Sequence, residues 1–274
     1  MKIILFFNPF KIDLERIKKT IYPVFKKYNI QILKILSAGS GLKEDIAESA
    51  DYYVVLGGDG TVLRIAEMAA INQKPIIGIN LGNLGFLNAF SQDQIEKAAR
   101  DIINNKLRFS DRLAINCSIS GKKYTALNDI VIQKSQPLGT IDLEVKIENH
   151  TVYSFLGDGV IVSSPTGSTG YSLSAGGPII HPSLEVIELI PLAPHALNIR
   201  PIIVPTKKNI NINIKTIASG FAYVTGDGDI IHRLESGMAL TVNGAEKKIK
   251  LAEQCDDDYF TLLNSKLAFG RRFE

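Results

Sequence analysis

The first hundred residues alternate short apolar runs with helix-patterned segments, and this alternation limits the fold more than any other feature of the sequence. The apolar runs have the length of strands, whereas the segments between them repeat apolar residues at helical spacing. Strands and helices in alternation form right-handed βαβ crossovers, which build a mostly parallel sheet. The predicted strands are 3–7, 30–35, 52–56 and 75–79, and the predicted helices are 14–28, 43–50, 61–71 and 93–105.

After residue 108 the pattern becomes that of an antiparallel β protein. Residues 141–147 alternate strictly, and a turn leads to a second run at 151–155, which predicts a hairpin with one solvent-facing side. Further strands are predicted at 124–132, 210–214, 222–225 and 238–242. We expect an α/β domain over 1–108, an all-β domain over 109–252, and a tail over 253–274, helical at 258–267, that packs back on the first domain.

Charge and cysteine content exclude several classes of partner. The 31 Lys and Arg residues nearly balance the 28 Asp and Glu residues, so we expect neither nucleic acid nor a membrane as partner. Cys117 and Cys255 have no C-x-x-C spacing and the histidines have no metal-ligand spacing, which predicts no disulfide framework and no protein-bound metal. With no signal-peptide core and no bilayer-spanning run, a cytoplasmic location with small-molecule partners is expected.

A predicted strand runs into a glycine-rich turn and then a helix, at 52–61. Gly57, Gly58 and Gly60 leave no side chain to obstruct a polyphosphate at a strand end where ligands usually bind. Asp59 projects into this crevice in one interpretation and is only the N-cap of the following helix in the other. The turn is neither a G-x-G-x-x-G nor a Walker motif.

The sequence GGDGT at 57–61 is similar to the phosphate-site motif of NAD kinases, of diacylglycerol and sphingosine kinases and, more distantly, of phosphofructokinases. A second segment, 157–182, closely resembles the long motif of NAD kinases in its order DG, SSPTGSTGYSLS, AGGP. An ordinary Gly- and Ser-rich loop would explain the composition of this segment but not its order. The resemblance implies the NAD kinase fold, with a Rossmann-like or phosphofructokinase-like N-terminal domain.

Some further positions match the family's motifs, and others depart from them. Asn128-Asp129 resembles its Asn-Glu pair, with Asp in place of the commoner Glu, and the loop 80–87, with Gly82 and Gly85, resembles a turn near the phosphates. Asp227 resembles the Asp of a later Asp-Gly-Gln motif, and the ending at 266–272 is also similar. The departures are Gly170 for Ala, Asp229 for Gln, and Leu156 where some members have Arg.

The resemblance implies transfer of the γ-phosphate of ATP, another nucleoside triphosphate or polyphosphate to the adenosine-ribose 2′-hydroxyl of NAD, giving NADP and ADP. Asp59 would be the base, Asn128 and Asp129 would hold the ribose before it, and Mg²⁺ would arrive on the nucleotide phosphates. The implied substrate- and nucleotide-binding residues are Gly57, Gly58, Gly60, Arg64, Asn128, Asp129, Asp158, Thr166, Thr169, Gly170, Tyr171, Ser172, Leu173, Ser174, Ala193 and Asp227.

The family further implies a homodimer or homotetramer. Three other functions stay open at this point. A lipid kinase of the diacylglycerol or sphingosine type shares GGDGT but has no reason to carry the segment 158–182 in this order. A non-catalytic NAD(P)-binding sensor would bind nucleotide without releasing ADP. A phosphofructokinase would show ATP hydrolysis that depends on a sugar phosphate.

Overall fold

The computed structural model describes residues 1–41, 44–82, 85–253 and 259–268. The chain divides into two compact units. The N-terminal unit comprises residues 1–111 together with the chain from 249 onward, and the sandwich unit comprises residues 112–248. The predicted tail begins within a strand of the N-terminal unit, Ile249–Glu253, which we call the return strand.

The N-terminal unit is built on a seven-stranded sheet. Its strands are β1 (Lys2–Phe7), β2 (Gln31–Ser37), β3 (Tyr52–Leu56), β4 (Ile76–Asn80), β5 (Phe90–Ser91), β6 (Arg108–Arg112) and the return strand. The order is β2-β1-β3-β4-return strand-β6, with β5 also paired to β4. Neighbouring strands run parallel from β2 to the return strand. Because β3 and β4 are apolar and buried on both faces, this sheet is covered on both sides.

Helices follow the strands of this unit. They are α1 (Leu14–Arg16), a π-helical stretch (Ile17–Ile21), α2 (Tyr22–Lys27), α3 (Glu44–Ser49), α4 (Asp59–Asn72), a 3-10 turn (Gln92–Gln94), α5 (Ile95–Ile103) and a C-terminal helix (Tyr259–Leu267). The buried side chains of α4 include Val62, Ile65, Ala66 and Ala69, which lie at helical spacing on one face. That packing fixes the helix start directly after β3.

The sandwich unit contains two six-stranded antiparallel sheets. Sheet one has the order β11-β10-β15-β18-β7-β8, and sheet two the order β14-β13-β12-β9-β16-β17. The strands are β7 (Ile115–Ile119), β8 (Lys122–Ala126), β9 (Asp129–Lys134), β10 (Ile141–Ile147), β11 (His150–Gly157), β12 (Gly159–Ser163), β13 (Val186–Leu192), β14 (Ile202–Pro205), β15 (Ile210–Ile217), β16 (Ala222–Gly226), β17 (Asp229–Leu234) and β18 (Ala239–Gly244).

Side chains from both sheets share one apolar core, for example Leu143 and Ile212 of sheet one with Ile132 and Val162 of sheet two. The opposite face of sheet two is also covered, because Val131, Ile161, Ile190 and Leu192 form a second buried cluster. Every residue of β12 is therefore buried. The segment that follows β12 starts from a fixed strand end.

The predicted fold class is confirmed: a mostly parallel sheet with helices precedes antiparallel all-β sheets. One predicted strand, 124–132, is wrong, because β8 ends at Ala126 and β9 begins at Asp129. Predicted residues 43 and 258, residues 83 and 84 of the glycine loop, Cys255, and residues 269–272 of the ending lie outside the described residues. No helix in the described part of the chain is long and apolar enough to cross a membrane.

Candidate active site

The glycine turn at 57–60 joins the end of β3 to the start of α4. A Cβ at Gly57 would collide with the Thr61 side chain, so this position requires glycine. Gly58 is the N-cap of α4, and its first turn has no side-chain cap. The first N–H groups of a helix have no acceptor within the helix and carry the positive end of its dipole. The turn therefore offers an anion-binding end at the carboxyl edge of the sheet.

The Asp59 carboxylate is not a helix cap. It accepts hydrogen bonds from the Phe86 backbone N (2.7 Å), the Leu87 backbone N (3.1 Å) and Asn88 Nδ2 (2.7 Å). A Cβ at Gly85 would collide with the carboxylate, so glycine there allows the loop to close on Asp59. The capping interpretation is therefore wrong, and Asp59 is an oriented carboxylate at the glycine turn.

Two cations lie on the segments around this turn. A Cβ built at Gly58 would lie 3.0 Å from the Lys11 Nζ, so the ammonium sits directly over the glycine turn. Arg64 is exposed on α4, about one helical turn after Gly60. Sequence reasoning missed Lys11, although a lysine four residues after the end of β1 was a signal that it could have used.

In the sandwich unit, Leu127 and Asn128 form a turn between β8 and β9. Asp227 shapes this turn from a position about 100 residues further along the chain. Its carboxylate accepts from the backbone N of Leu127 (2.8 Å), Asn128 (2.7 Å) and Asp129 (3.2 Å). Burial raises the pKa of Asp227 to about 6, although these three donors act to lower it. Asp227 thus builds the Asn128-Asp129 turn.

Several polar atoms around this turn are buried without a partner. Asn128 Oδ1 and Thr166 Oγ1 have no hydrogen-bond partner among the described residues. Asp129 is 6% exposed, and burial, with the charge of Asp227 second, raises its pKa to about 7. Unsatisfied buried polar atoms are rare in folded proteins and each asks for an explanation, such as a ligand.

The segment 163–177 lies against the same turn. The Ser164 Oγ donates to the Leu127 carbonyl (2.5 Å), and the Ser164 backbone N donates to the Asn128 carbonyl (2.8 Å). A Cβ at Gly167 would collide with the Asn128 carbonyl, and a Cβ at Gly170 would lie 3.5 Å from Asn128 Nδ2. The structure therefore brings four of the expected binding residues, Asn128, Asp129, Thr166 and Gly170, into one region of the sandwich unit.

After a 3-10 turn (Thr166–Thr169), the segment forms a four-residue helix, α6 (Tyr171–Ser174). The Thr169 Oγ1 donates to the Thr166 carbonyl (3.4 Å). Tyr171 is 42% exposed, Ser174 is exposed and Leu173 is half-buried. Ser172 differs from them, because its Oγ is buried and donates to Glu188 Oε2. The Ser172 hydroxyl is thus engaged inside the sandwich unit, and the expected contact of Ser172 with a ligand stays a prediction.

Asp158 lies between β11 and β12 and pairs with Lys134, with 2.6 Å between Nζ and Oδ1. The Lys134 ammonium also donates to the carbonyls of Pro137 (3.0 Å) and Gly139 (2.9 Å). Ala193 follows β13 with a φ of 43°, a left-handed conformation that is uncommon outside glycine. Sequence reasoning missed Lys134, Asn88 and Glu188. Only Glu188, a lone acid in an apolar run, gave a visible signal.

Two family models match the chain. The ATP-NAD kinase N-terminal domain matches residues 11–107, and the ATP-NAD kinase C-terminal domain matches residues 127–254. Their order along the chain is that of the two units described above. Fold, glycine turn and both models together define the class: a kinase built from an α/β domain and a β-sandwich domain.

Similar sequences and similar solved structures agree with this class. The chain is 53% identical to an NAD kinase of Petrotoga mobilis over 100% of both chains, and 38% identical to an NAD kinase of Geotalea daltonii over 84% of this chain and 82% of that one. The crystal structure of an Archaeoglobus fulgidus NAD kinase in complex with ATP is similar with a TM-score of 0.76, at 27% identity over 93% of this chain and 94% of that chain. The yeast NADH kinase complexed with NADH has the same fold, with a TM-score of 0.88 at 23% identity, over 100% of this chain and 89% of that one. The chain belongs to the NAD kinase family and is an enzyme.

Proposed function

We propose that this enzyme transfers the γ-phosphate of ATP to the 2′-hydroxyl of the adenosine ribose of NAD, with Asp59 as the general base. The observation that carries the assignment of the base is the Asp59 carboxylate, oriented by three donors beside an open helix N-terminus. Oδ1 accepts two of those bonds and Oδ2 accepts one, which leaves Oδ2 able to accept another from a hydroxyl. Asp59 then takes the hydroxyl proton as the bond from oxygen to phosphorus forms and the bond to ADP breaks.

The phosphoryl donor binds at the glycine turn in this proposal. The backbone N–H groups at Gly58 and Gly60 and the ammonium of Lys11 face the triphosphate, and Arg64 adds charge from α4. Gly57 contributes by its lack of a side chain, because its own N–H donates to the Ile79 carbonyl (3.0 Å). These groups suit phosphate rather than a bare cation, which fits Mg²⁺ held through the donor phosphates. When bound, Mg²⁺ neutralises charge on the transferring group.

NAD binds in the sandwich unit in this proposal. Asn128 holds a ribose hydroxyl through Oδ1, which lacks a partner among the described residues, and the buried Asp129 carboxylate accepts from the ribose beside it. The exposed ring of Tyr171 supports the adenine. Asp158, Thr166, Thr169, Gly170, Leu173, Ser174 and Ala193 complete the contacts, while Ser172 and Asp227 shape the site from within.

A coupled assay tests the base. Purified protein with ATP, Mg²⁺ and NAD should form NADP, read through an NADP-specific dehydrogenase. Asp59→Asn keeps the shape of the side chain and should lower kcat by roughly 10²- to 10⁴-fold. Asp93→Asn, an exposed acid in the same unit, is the matched control. NAD binding without NADP from folded wild-type protein would instead support a sensor, and an Asp59→Asn enzyme with wild-type kcat would remove Asp59 from the chemistry.

Lys11→Gln tests the phosphate side. Losing a charge-assisted hydrogen bond should raise the KM for ATP about tenfold and leave the KM for NAD unchanged. Lys19→Gln, an exposed lysine of the π-helical stretch, serves as the control. An unchanged KM for ATP in Lys11→Gln would exclude this contact.

We also propose a homodimer or homotetramer, in a cytoplasmic location. Light scattering on the purified protein tests the first, since a monomer mass would contradict it. The free thiol of Cys117, whose pKa burial raises to about 12, fits a reducing compartment. Fractionation of the source cells tests the second.

A further inference from the structure

β13 carries one acidic side chain, Glu188, in an otherwise apolar and buried strand. Glu188 is 0% exposed. Alternate residues of a strand share a face, so Glu188 lies on the side of Ile190 and Leu192, which belong to the second apolar cluster. Burial raises the pKa of Glu188, and no lysine or arginine is among the groups that act on it. A buried carboxyl without a cation is costly, so its presence needs a reason.

The partner of Glu188 is Ser172. The Ser172 Oγ lies 2.5 Å from Glu188 Oε2, and Oε1 has no hydrogen-bond partner among the described residues. Gly177 makes room for this pair, because a Cβ there would lie 2.5 Å from Glu188 Oε1 and would collide with the Ser172 Oγ. The Gly177 backbone N in turn donates to the Ser172 carbonyl (2.9 Å). The three residues thus form one buried contact beneath α6.

This contact is the inward anchor of α6. A helix of four residues is not stable by itself and depends on tertiary contacts. Ser172 is the buried residue of α6, whereas Tyr171 on the same helix is 42% exposed. The direction of the Tyr171 ring therefore follows from how Ser172 is held.

We infer that Glu188 is a positioning residue for NAD, which through its hydrogen bond to Ser172 holds α6 so that Tyr171 supports the adenine. The inference rests on the proposed NAD site, since Tyr171 contacts adenine only if NAD binds there. Glu188 acts on substrate through Ser172 and α6 and touches neither NAD nor ATP.

Four variants test this inference. Glu188→Leu and Ser172→Ala each remove the bond and should raise the KM for NAD about tenfold, with kcat and the KM for ATP within about twofold. Glu188→Gln keeps a hydrogen-bond partner of the same size and should retain a wild-type KM. The double variant should be no worse than either single variant, because both changes remove one interaction. Glu185→Gln, an exposed acid just before β13, is the control.

Hydrogen exchange gives a readout that does not need kinase activity. The backbone N–H groups of Ala175, Gly176 and Gly177 donate to carbonyls of α6. Without NAD, they should exchange at least tenfold faster in Glu188→Leu and Ser172→Ala, and at the wild-type rate in Glu188→Gln and Glu185→Gln.

Wild-type exchange together with a wild-type KM for NAD in either disruptive variant would overturn the inference, as would Glu188→Gln behaving like Glu188→Leu. Ser172→Ala removes a single oxygen atom, so it decides the matter if Glu188→Leu does not fold. Absence of NADP from the wild-type enzyme would contradict the proposed function, whereas the exchange rates would still decide whether Glu188 anchors α6.

Discussion

The tripeptide Gly-Asp-Gly occurs three times, at 58–60, 157–159 and 226–228. The copies in the glycine turn, at 58–60, and at the turn from β16 to β17, at 226–228, hold their aspartates in a similar way. In both places the carboxylate accepts three N–H donors of another loop, two on one oxygen and one on the other. Asp59 is the first residue of a helix, whereas Asp227 has a φ of 51° in a tight turn. The same tripeptide, with the same number of N–H donors to its carboxylate, therefore occurs in two different backbone conformations.

The surroundings separate the two carboxylates. Asp59 lies beside an uncapped helix N-terminus and near the Lys11 ammonium, both of which favour anions. Asp227 lies beside a second carboxylate, Asp129, whose pKa the charge of Asp227 helps to raise. A carboxylate that accepts three hydrogen bonds is thus a structural group at Asp227, where the neighbouring side chain is acidic. In our proposal the same arrangement makes Asp59 the reacting group, because its neighbours bind phosphate.

Among changes that keep both aspartates, the largest expected effect comes from displacing the Asp59 carboxylate. Gly85→Ala places a Cβ where the carboxylate now lies, so Asp59 must leave its three donors. A displacement of about 1 Å can cost about 100-fold in rate, and we expect at least that loss of kcat in the coupled assay. Gly41→Ala, with open space around the new methyl group, is the control. Full activity in Gly85→Ala would mean that the oriented carboxylate is not the reactive form.

Asp227→Asn tests whether the Asp227 carboxylate has a structural role. Asparagine tolerates the left-handed backbone, but its amide turns a donor toward at least one of three N–H groups. Urea unfolding should show a loss of about 1–3 kcal/mol, and the KM for NAD should rise as the Asn128-Asp129 turn loosens. Asp229→Asn, exposed two residues later, controls for the loss of charge. If Asp227→Asn instead lowered kcat as much as Asp59→Asn, the two carboxylates would not differ in role.

The pH dependence of NAD use tests Asp129. The pKa of Asp129 is raised from 3.8 to about 7. Its contribution to the free energy of unfolding is therefore fully present below about pH 4 and is lost as pH rises through about 7. The ionised form accepts ribose hydroxyls better, so kcat/KM for NAD should fall by up to about tenfold per pH unit below about pH 7. Asp129→Asn should flatten this part of the profile. A wild-type profile in that variant would assign the ionisation to another group.

The smallest expected effect is at Gly170, one of the positions where the sequence departs from the motif that it resembles. A Cβ there would lie 3.2 Å from the Gly167 carbonyl, which is tight, but the φ of −96° is outside the left-handed region that favours glycine. Gly170→Ala should change stability by less than about 1 kcal/mol and activity by less than about twofold. Gly176→Ala, at a φ of 89°, should cost more than Gly170→Ala in the same unfolding measurement.

The sequence pattern predicted correctly those strands whose limits depend on neighbouring residues alone. The strand 52–56 was predicted with the bounds that β3 has, because continuous apolar residues between a helix and a glycine turn allow few alternatives. The strand 124–132 was wrong because the turn at Leu127-Asn128 is held by Asp227, a contact across about 100 residues that no local pattern shows. The same limit hid the hydrogen bond between Ser172 and Glu188.

The return strand, Ile249–Glu253, lies between β4 and β6 in the sheet of the N-terminal unit. During synthesis on the ribosome, β6 emerges with no neighbour on that side until the whole sandwich unit has been translated. Unpaired strand edges are where nascent chains misassociate, so the interval between translation of β6 and of the return strand is the vulnerable stage of biogenesis. The N-terminal unit is thus the first to be translated and the last to complete its sheet.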